Sequence, residues 1–236
     1  MNEYRLDGLT IKEHLLQLAE EGHRSFTTSL HPGVEHILGI RMPELRALAK
    51  RIAEDDWMRY LDTADTFYME ERMLLGLVLG YIRPDADIEA YLHRVTCFVW
   101  NINSWSVCDA FSFAGGKAFV GQHGARIWQY LREWMKAPNE YEARFGIVMA
   151  MRYFPDAGHL PELFEAFDEL QTTGYYARMA VAWALCECFI RYPSLTEAYL
   201  KRSRLDSDTL RKALQKIAES HRITSDAKEA VRQLKN

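Results

Sequence analysis

Trp105 and Asp109 stand four residues apart in the segment NINSWSVCDAF. On a helix that spacing sets an indole and a carboxylate on one face, one turn from each other. An aromatic face beside an anion suits a cationic or oxocarbenium-like centre, because the ring quadrupole and the carboxylate both stabilise positive charge. Taken by itself the pair has a plainer reading, with Trp105 in the core and Asp109 accepting hydrogen bonds from a neighbouring helix end. Arg144 and Arg178 fall in the first turns of apolar helices. A cation there opposes the helix dipole, at a cost of a few tenths to about 1 kcal/mol unless an anion answers it. That anion is either a structural acid, such as Glu142 or Asp109, or a phosphate. Trp183 lies in the small apolar run AVAWALC and, as a lone observation, reads as core.

Other chemistries find little footing. The histidines are scattered, with His31 and His36 five apart and His221 alone in a basic tail, and no HxxxH or HExxH pattern occurs. AGG at 114–116 lacks the lysine and the strand-to-helix context of a phosphate loop, and no serine nucleophile elbow is present. Cys97, Cys108, Cys186 and Cys188 form no CxxC pair. Cys186 and Cys188 point about 200° apart on a helix, so they share neither a metal nor a strain-free disulfide. Buried small hydrophobes in a reduced, cytoplasmic protein is the reading adopted, and a metal or redox protein has only these cysteines to support it.

The elements that must position these residues are helical. Helical periodicity covers 43–53, 69–82, 88–99, 105–113, 126–135, 141–154, 161–169, 175–192, 195–201, 207–219 and 225–234, and strand signals are almost absent. Pro43 and Pro161 sit where a first turn tolerates them, and Ser207 and Ser225 read as N-caps. Three segments resemble one another: YMEERMLLGLVLGYIRP, YEARFGIVMAMRYFP and YYARMAVAWALCECFIRYP. Each opens on an aromatic, places an arginine near the first turn (Arg72, Arg144, Arg178), runs apolar, and closes on a proline (Pro84, Pro155, Pro193). The second and third copies are 34 to 38 residues apart and the first lies about two periods earlier, which is a helical-repeat spacing. The intermediate copy falls near 105–119, where the chain departs from the pattern. Stacked helix pairs of this kind bury a continuous core, and an irregular helical bundle is the alternative.

The chain has 236 residues, 48% of them hydrophobic, which is enough to bury a substantial core and excludes disorder and collagen-like repeats. Its apolar runs, such as 73–82, fall short of the ~20 residues that span a bilayer. The opening MNEYRLDG carries acids and no apolar stretch, so no secretory signal is expected. No linker or low-complexity segment divides the chain, and a single domain over 1–236 is expected. The net charge of −4 conceals a polarity. Residues 201–236 hold 10 Lys and Arg against 5 Asp and Glu, whereas residues 1–200 hold 19 against 28. A polyanion partner therefore requires a clustered basic face.

Four blocks in order, ILGIRMPELRALAKRI, NSWSVCDAF, YEARFGIVMAMRYF and YYARMAVAWALCECFIRYP, resemble the AlkD-type DNA alkylation repair proteins, a HEAT-like-repeat DNA glycosylase superfamily. The likeness covers roughly 30–235. It implies an all-α fold, an α-α superhelix of HEAT-like repeats whose concave face holds duplex DNA. It also implies monofunctional excision of cationic N3- or N7-alkylated purines, by a monomer without metal, cofactor or membrane. Residue by residue, Asp109 would match the catalytic carboxylate, and Trp105 and Trp183 the aromatics that flank the damaged nucleotide. Arg144 would match a phosphate contact, with Arg178 and the basic tail adding positive charge. The intervals from Trp105 to Asp109, Arg144 and Trp183 keep the family's spacing. Two departures are visible. Active members place a further aromatic in the helix before the GI-R-P block, where this chain has Leu30, His31 and Pro32, and active members are basic. A non-catalytic repeat protein that binds DNA or a protein partner on its concave face is the second reading.

Overall fold

The computed structural model describes residues 3–83 and 87–232. A two-stranded hairpin opens the chain, β1 (Arg5–Leu6) antiparallel to β2 (Leu9–Thr10). Helices follow: α1 (Ile11–Leu18), α2 (Glu21–Leu30), α3 (Met42–Glu54), α4 (Trp57–Thr63), α5 (Met69–Tyr81), α6 (Ile88–Val99), α7 (Trp105–Ala110) and α8 (Gly116–Gln122). After them come α9 (Gly124–Met135), α10 (Glu140–Tyr153), α11 (Leu160–Asp168), α12 (Tyr175–Arg191), α13 (Pro193–Leu200), α14 (Ser207–Glu219) and α15 (Ser225–Arg232). The protein is all-α, with 69% of it helical and almost no strand among the described residues.

Contacts divide the chain into two compact units, Met1–His123 and Gly124–Asn236. In the first, α3, α5 and α7 stack in a row, with α4 packed on α3 and α6 on α5. In the second, α10, α12 and α14 stack in a row, with α9 on α10, α11 on α9 and α13 on α12. The three segments that resemble one another are α5, α10 and α12: α5 and α12 are the central members of their rows, and α10 lies between α9 and α12. That position explains their composition. A helix covered on all sides needs apolar residues all round, so α5 buries Met73 to Leu79 without a break and α10 buries Ala143 to Ala150. Close approach requires small residues: a Cβ on Gly146 of α10 would stand 2.6 Å from the Met135 backbone nitrogen, and one on Gly76 of α5 would stand 2.6 Å from the Phe98 ring.

The repeated arginines occupy one structural role. Arg72 Nη1 in α5 donates to the Asn101 carbonyl just before α7 at 2.9 Å. Arg144 Nη1 in α10 donates to the Tyr176 carbonyl in the first turn of α12 at 3.0 Å. Arg178 in α12 faces Asp206 and Asp208 at the start of α14, at 3.6 and 3.9 Å. Each guanidinium thus reaches the N-terminal end of the next helix in its row, the alignment that the sequence repeat predicts. For Arg178 the answering anions are Asp206 and Asp208, at the start of α14, the next helix in its row.

Several boundaries differ from the sequence reading. The helix expected over 105–113 stops at Ala110, since Phe111 is extended and Gly115 and Gly116 at positive φ turn the chain into α8. That short α7 stands where the intermediate repeat copy was expected. Ser207 is the first helical residue of α14, and the cap is Asp206, which accepts from the Asp208 and Thr209 amides. Ser225 likewise starts α15 instead of capping it. Pro84 and the end of the 225–234 helix lie outside the described residues. Cys108, Cys186 and Cys188 are buried, whereas Cys97 is exposed. No helix among the described residues is long and apolar enough to cross a membrane.

Candidate functional site

α7 is a six-residue helix held at its start by Ser104, whose hydroxyl accepts from the Val107 amide at 3.3 Å. Val107 and Cys108 turn inward and are fully buried, while Trp105 and Asp109 are half-buried on the other face. The i, i+4 relation expected from the sequence is therefore realised, with both side chains at the boundary between core and solvent.

Trp105 is fixed from the end of α2. Its Nε1–H donates to the Leu30 carbonyl at 3.3 Å, and its indole stacks on the His31 ring with centroids 5.0 Å apart and planes 3° from parallel. His31 itself is 4% exposed. Its Nδ1 lies 2.8 Å from the Thr27 carbonyl, a group that can only accept, so Nδ1 carries the proton. In the neutral ring Nε2 then accepts from the Ser106 hydroxyl at 2.7 Å, and Ser106 Oγ stands 3.2 Å from Ser104 Oγ.

The second unit holds the remaining predicted residues. Trp183 is half-buried on α12, on a stripe with Tyr176, Met179, Glu187 and Ile190 that is less covered than the rest of the helix. Arg144 is buried, and Arg178 is about a quarter exposed. The Tyr141 and Tyr176 rings stack at 5.5 Å beside Arg144. Burial and the Glu140 charge push the Tyr141 hydroxyl up to about 12, with Arg144 opposing. Burial also raises the Glu142 carboxyl. Sequence reasoning missed His31 and Ser106 as a pair, since 75 residues separate them and neither belongs to a motif.

A cleft of about 440 Å³ in the first unit is lined by α4, α5 and α6, including Asp62, Arg94, Cys97 and Phe98, and contains none of the predicted site residues.

Stacked helices, an arginine at the same repeat position of α5, α10 and α12, and a half-buried Trp and Asp on one short helix define a helical-repeat protein with a polar and aromatic site on α7. Over residues 11–217 the chain matches the family described as DNA alkylation repair enzyme, and it belongs to that family. Repair of alkylated DNA is the family's work, and DNA is the substrate that it implies. No curated protein matches the chain in sequence.

Proposed function

We propose that the protein is a monofunctional DNA glycosylase that hydrolyses the N-glycosidic bond of cationic N3- or N7-alkylated purines in duplex DNA. The observation that carries this reading is Trp105 and Asp109, half-buried on one face of α7 with the indole backed by His31. Alkylation at N3 or N7 puts a positive charge on the purine. Heterolysis of the C1′–N9 bond then returns the bonding pair to the base, which leaves neutral, while positive charge develops on the sugar. No acid is needed for the leaving group. What the protein supplies is stabilisation of the oxocarbenium and a place for water, which adds to C1′ and gives up one proton.

Asp109 is the group assigned to that task, by charge on the sugar and by orienting the water. Trp105 and Trp183 are assigned to the sugar and backbone of the damaged nucleotide. Arg144 is assigned to a backbone phosphate, and Arg178, whose charge is already shared with Asp206 and Asp208, to a weaker one. The acidity of residues 1–200 favours a second reading, a member of the family that binds DNA or a protein partner without excision.

The test is release of free base from duplex DNA carrying N7-methylguanine. Asp109→Asn keeps size and hydrogen bonding and removes the charge. The single-turnover rate is expected to fall on the order of 10²-fold or more, with DNA affinity unchanged or improved. A lower melting temperature with an unchanged rate per folded molecule would make Asp109 a structural acceptor. A wild-type protein that releases no cationic purine would sink the glycosylase reading and favour the binding protein.

A further inference from the structure

The polar groups around Trp105 form a chain whose direction, for the neutral imidazole, is set from its Thr27 end. The Val107 amide can only donate, and the Thr27 carbonyl can only accept. Between them the order is Val107 N–H to Ser104 Oγ, Ser104 O–H to Ser106 Oγ, Ser106 O–H to His31 Nε2, and His31 Nδ1–H to the Thr27 carbonyl. Fixing one member fixes the rest. The chain starts at the first turn of α7 and ends on the Thr27 carbonyl in the last turn of α2, where helix carbonyls run out of i+4 amide donors. Two consecutive residues of α7, Trp105 and Ser106, thereby grip two consecutive residues at the end of α2, Leu30 and His31.

α2 has little else to hold it there. None of its side chains is buried, and Phe26 and Leu30 are exposed. Its start is held by backbone contacts to the loop before α3, where Glu20 N–H donates to the Gly39 carbonyl and Gly39 lies directly against Arg24. Its end is held by His31, which also caps the helix by donating its own amide to the Thr28 carbonyl.

From this geometry we infer that His31 is a positioning residue for excision: its buried ring, stacked on the indole, fixes the plane of Trp105 so that the opposite face of the indole is presented beside Asp109. The inference rests on the glycosylase reading for its chemical consequence. It does not rest on that reading for its structural content, which is that the imidazole ring, and not merely a filled core position, immobilises Trp105. An indole free to rotate about its side-chain torsions would lose the near-attack alignment with the sugar, and small misplacements of such groups are costly in rate.

Two variants separate the ring from the hydrogen bonds. His31→Ala removes both, and His31→Phe keeps a ring of similar size while dropping both bonds. Two readouts are needed. The Trp105 Nε1–H signal, assigned by its loss in Trp105→Phe, reports order at the indole without any activity. In His31→Ala that proton is expected to exchange with solvent at least about tenfold faster, and in His31→Phe within about threefold of wild type. Single-turnover release of N7-methylguanine from duplex DNA is expected to fall at least about tenfold in His31→Ala with DNA affinity changed less than about threefold, and to recover to within about threefold of wild type in His31→Phe. Both variants lose hydrogen bonds and are expected to melt lower, so melting temperature and rate should part company. An unaltered Trp105 signal and rate in His31→Ala, or a His31→Phe variant as impaired as His31→Ala, would overturn the inference. A wild-type protein without excision would instead remove the glycosylase reading, and with it the catalytic consequence, while the Trp105 signal still decides whether the ring holds the indole.

Discussion

Charges that look alike in the sequence have different partners in the fold. Arg72, Arg144 and Arg178 recur at one repeat position, yet Arg72 and Arg144 meet backbone carbonyls and Arg178 meets carboxylates. The Arg72 guanidinium is held below its usual range by burial, with Glu71 and Asp65 opposing. Asp206 carries the other half of the Arg178 pair. Burial raises its carboxyl, but the Thr209 hydroxyl, the Thr209 amide, Arg178 and the Asp208 amide outweigh that and leave it below its ordinary 3.8. A depressed carboxyl contributes stability above its unfolded value, and that stability is lost as pH falls through the folded one. Asp206→Asn keeps a capping oxygen and deletes the charge. It is expected to lower the melting temperature at pH 7 by a few degrees at most, since partly exposed pairs contribute about 0.5–1 kcal/mol. The gap between variant and wild type should close as pH falls below about 3.8 and through the depressed value of the folded protein. Calorimetry across that range checks it, and a gap that is constant with pH would mean that the cap, not the ion pair, carries the effect.

The long central helices were legible because continuous burial writes itself as continuous apolar sequence. In α5, α10 and α12 the repeat of aromatic, arginine and apolar run located the helices to within a few residues. Their register is tight. Gly146 lets α10 approach α9 until a Cβ would stand 2.6 Å from the Met135 backbone nitrogen and 2.9 Å from the Leu131 carbonyl. Backbone cannot yield as a flexible side chain can. Gly146→Ala, which would strengthen an isolated helix, is therefore expected to destabilise the protein by about 1–3 kcal/mol, read by denaturant titration. An equal or higher midpoint would show that α9 and α10 separate without cost. Elements absent from the sequence reading lack the apolar signature for plain reasons. α2 (EGHRSFTTSL) buries no side chain, α4 (WMRYLDT) buries Tyr60 alone, and α8 (GKAFVGQ) starts among glycines that read as a turn. The same blindness applies at the site. Trp105 and Asp109 share a helix turn and are visible as a pair, whereas His31 meets Trp105 and Ser106 from a distant part of the chain, at the end of a helix that periodicity does not reveal.

Charge at the scale of the whole molecule bears on the partner. A chain with 29 Lys and Arg against 33 Asp and Glu binds a polyanion only through clustered cations, and binding of that kind releases condensed counterions. The logarithm of the DNA association constant should then fall steeply against the logarithm of salt concentration, by about 0.9 for each phosphate neutralised. Arg144 and Arg178 make unequal contributions to that slope. Arg178 already faces Asp206 and Asp208, so its net field at a phosphate is small before DNA arrives. Arg144, the residue assigned above to a backbone phosphate, donates to the Tyr176 carbonyl. Arg144→Gln is expected to flatten the slope by about one, and Arg178→Gln by clearly less. If Arg144 is only a strut to the Tyr176 carbonyl, its replacement lowers the melting temperature and leaves the slope alone. An Arg178 effect equal to that of Arg144 would mean that Asp206 and Asp208 release the guanidinium on binding, which moves the start of α14 into the DNA-responsive part of the molecule. Binding that does not vary with salt, or that is undetectable at about 50 mM, points to the protein-partner reading, because no polyanion complex formed through lysine and arginine escapes counterion release.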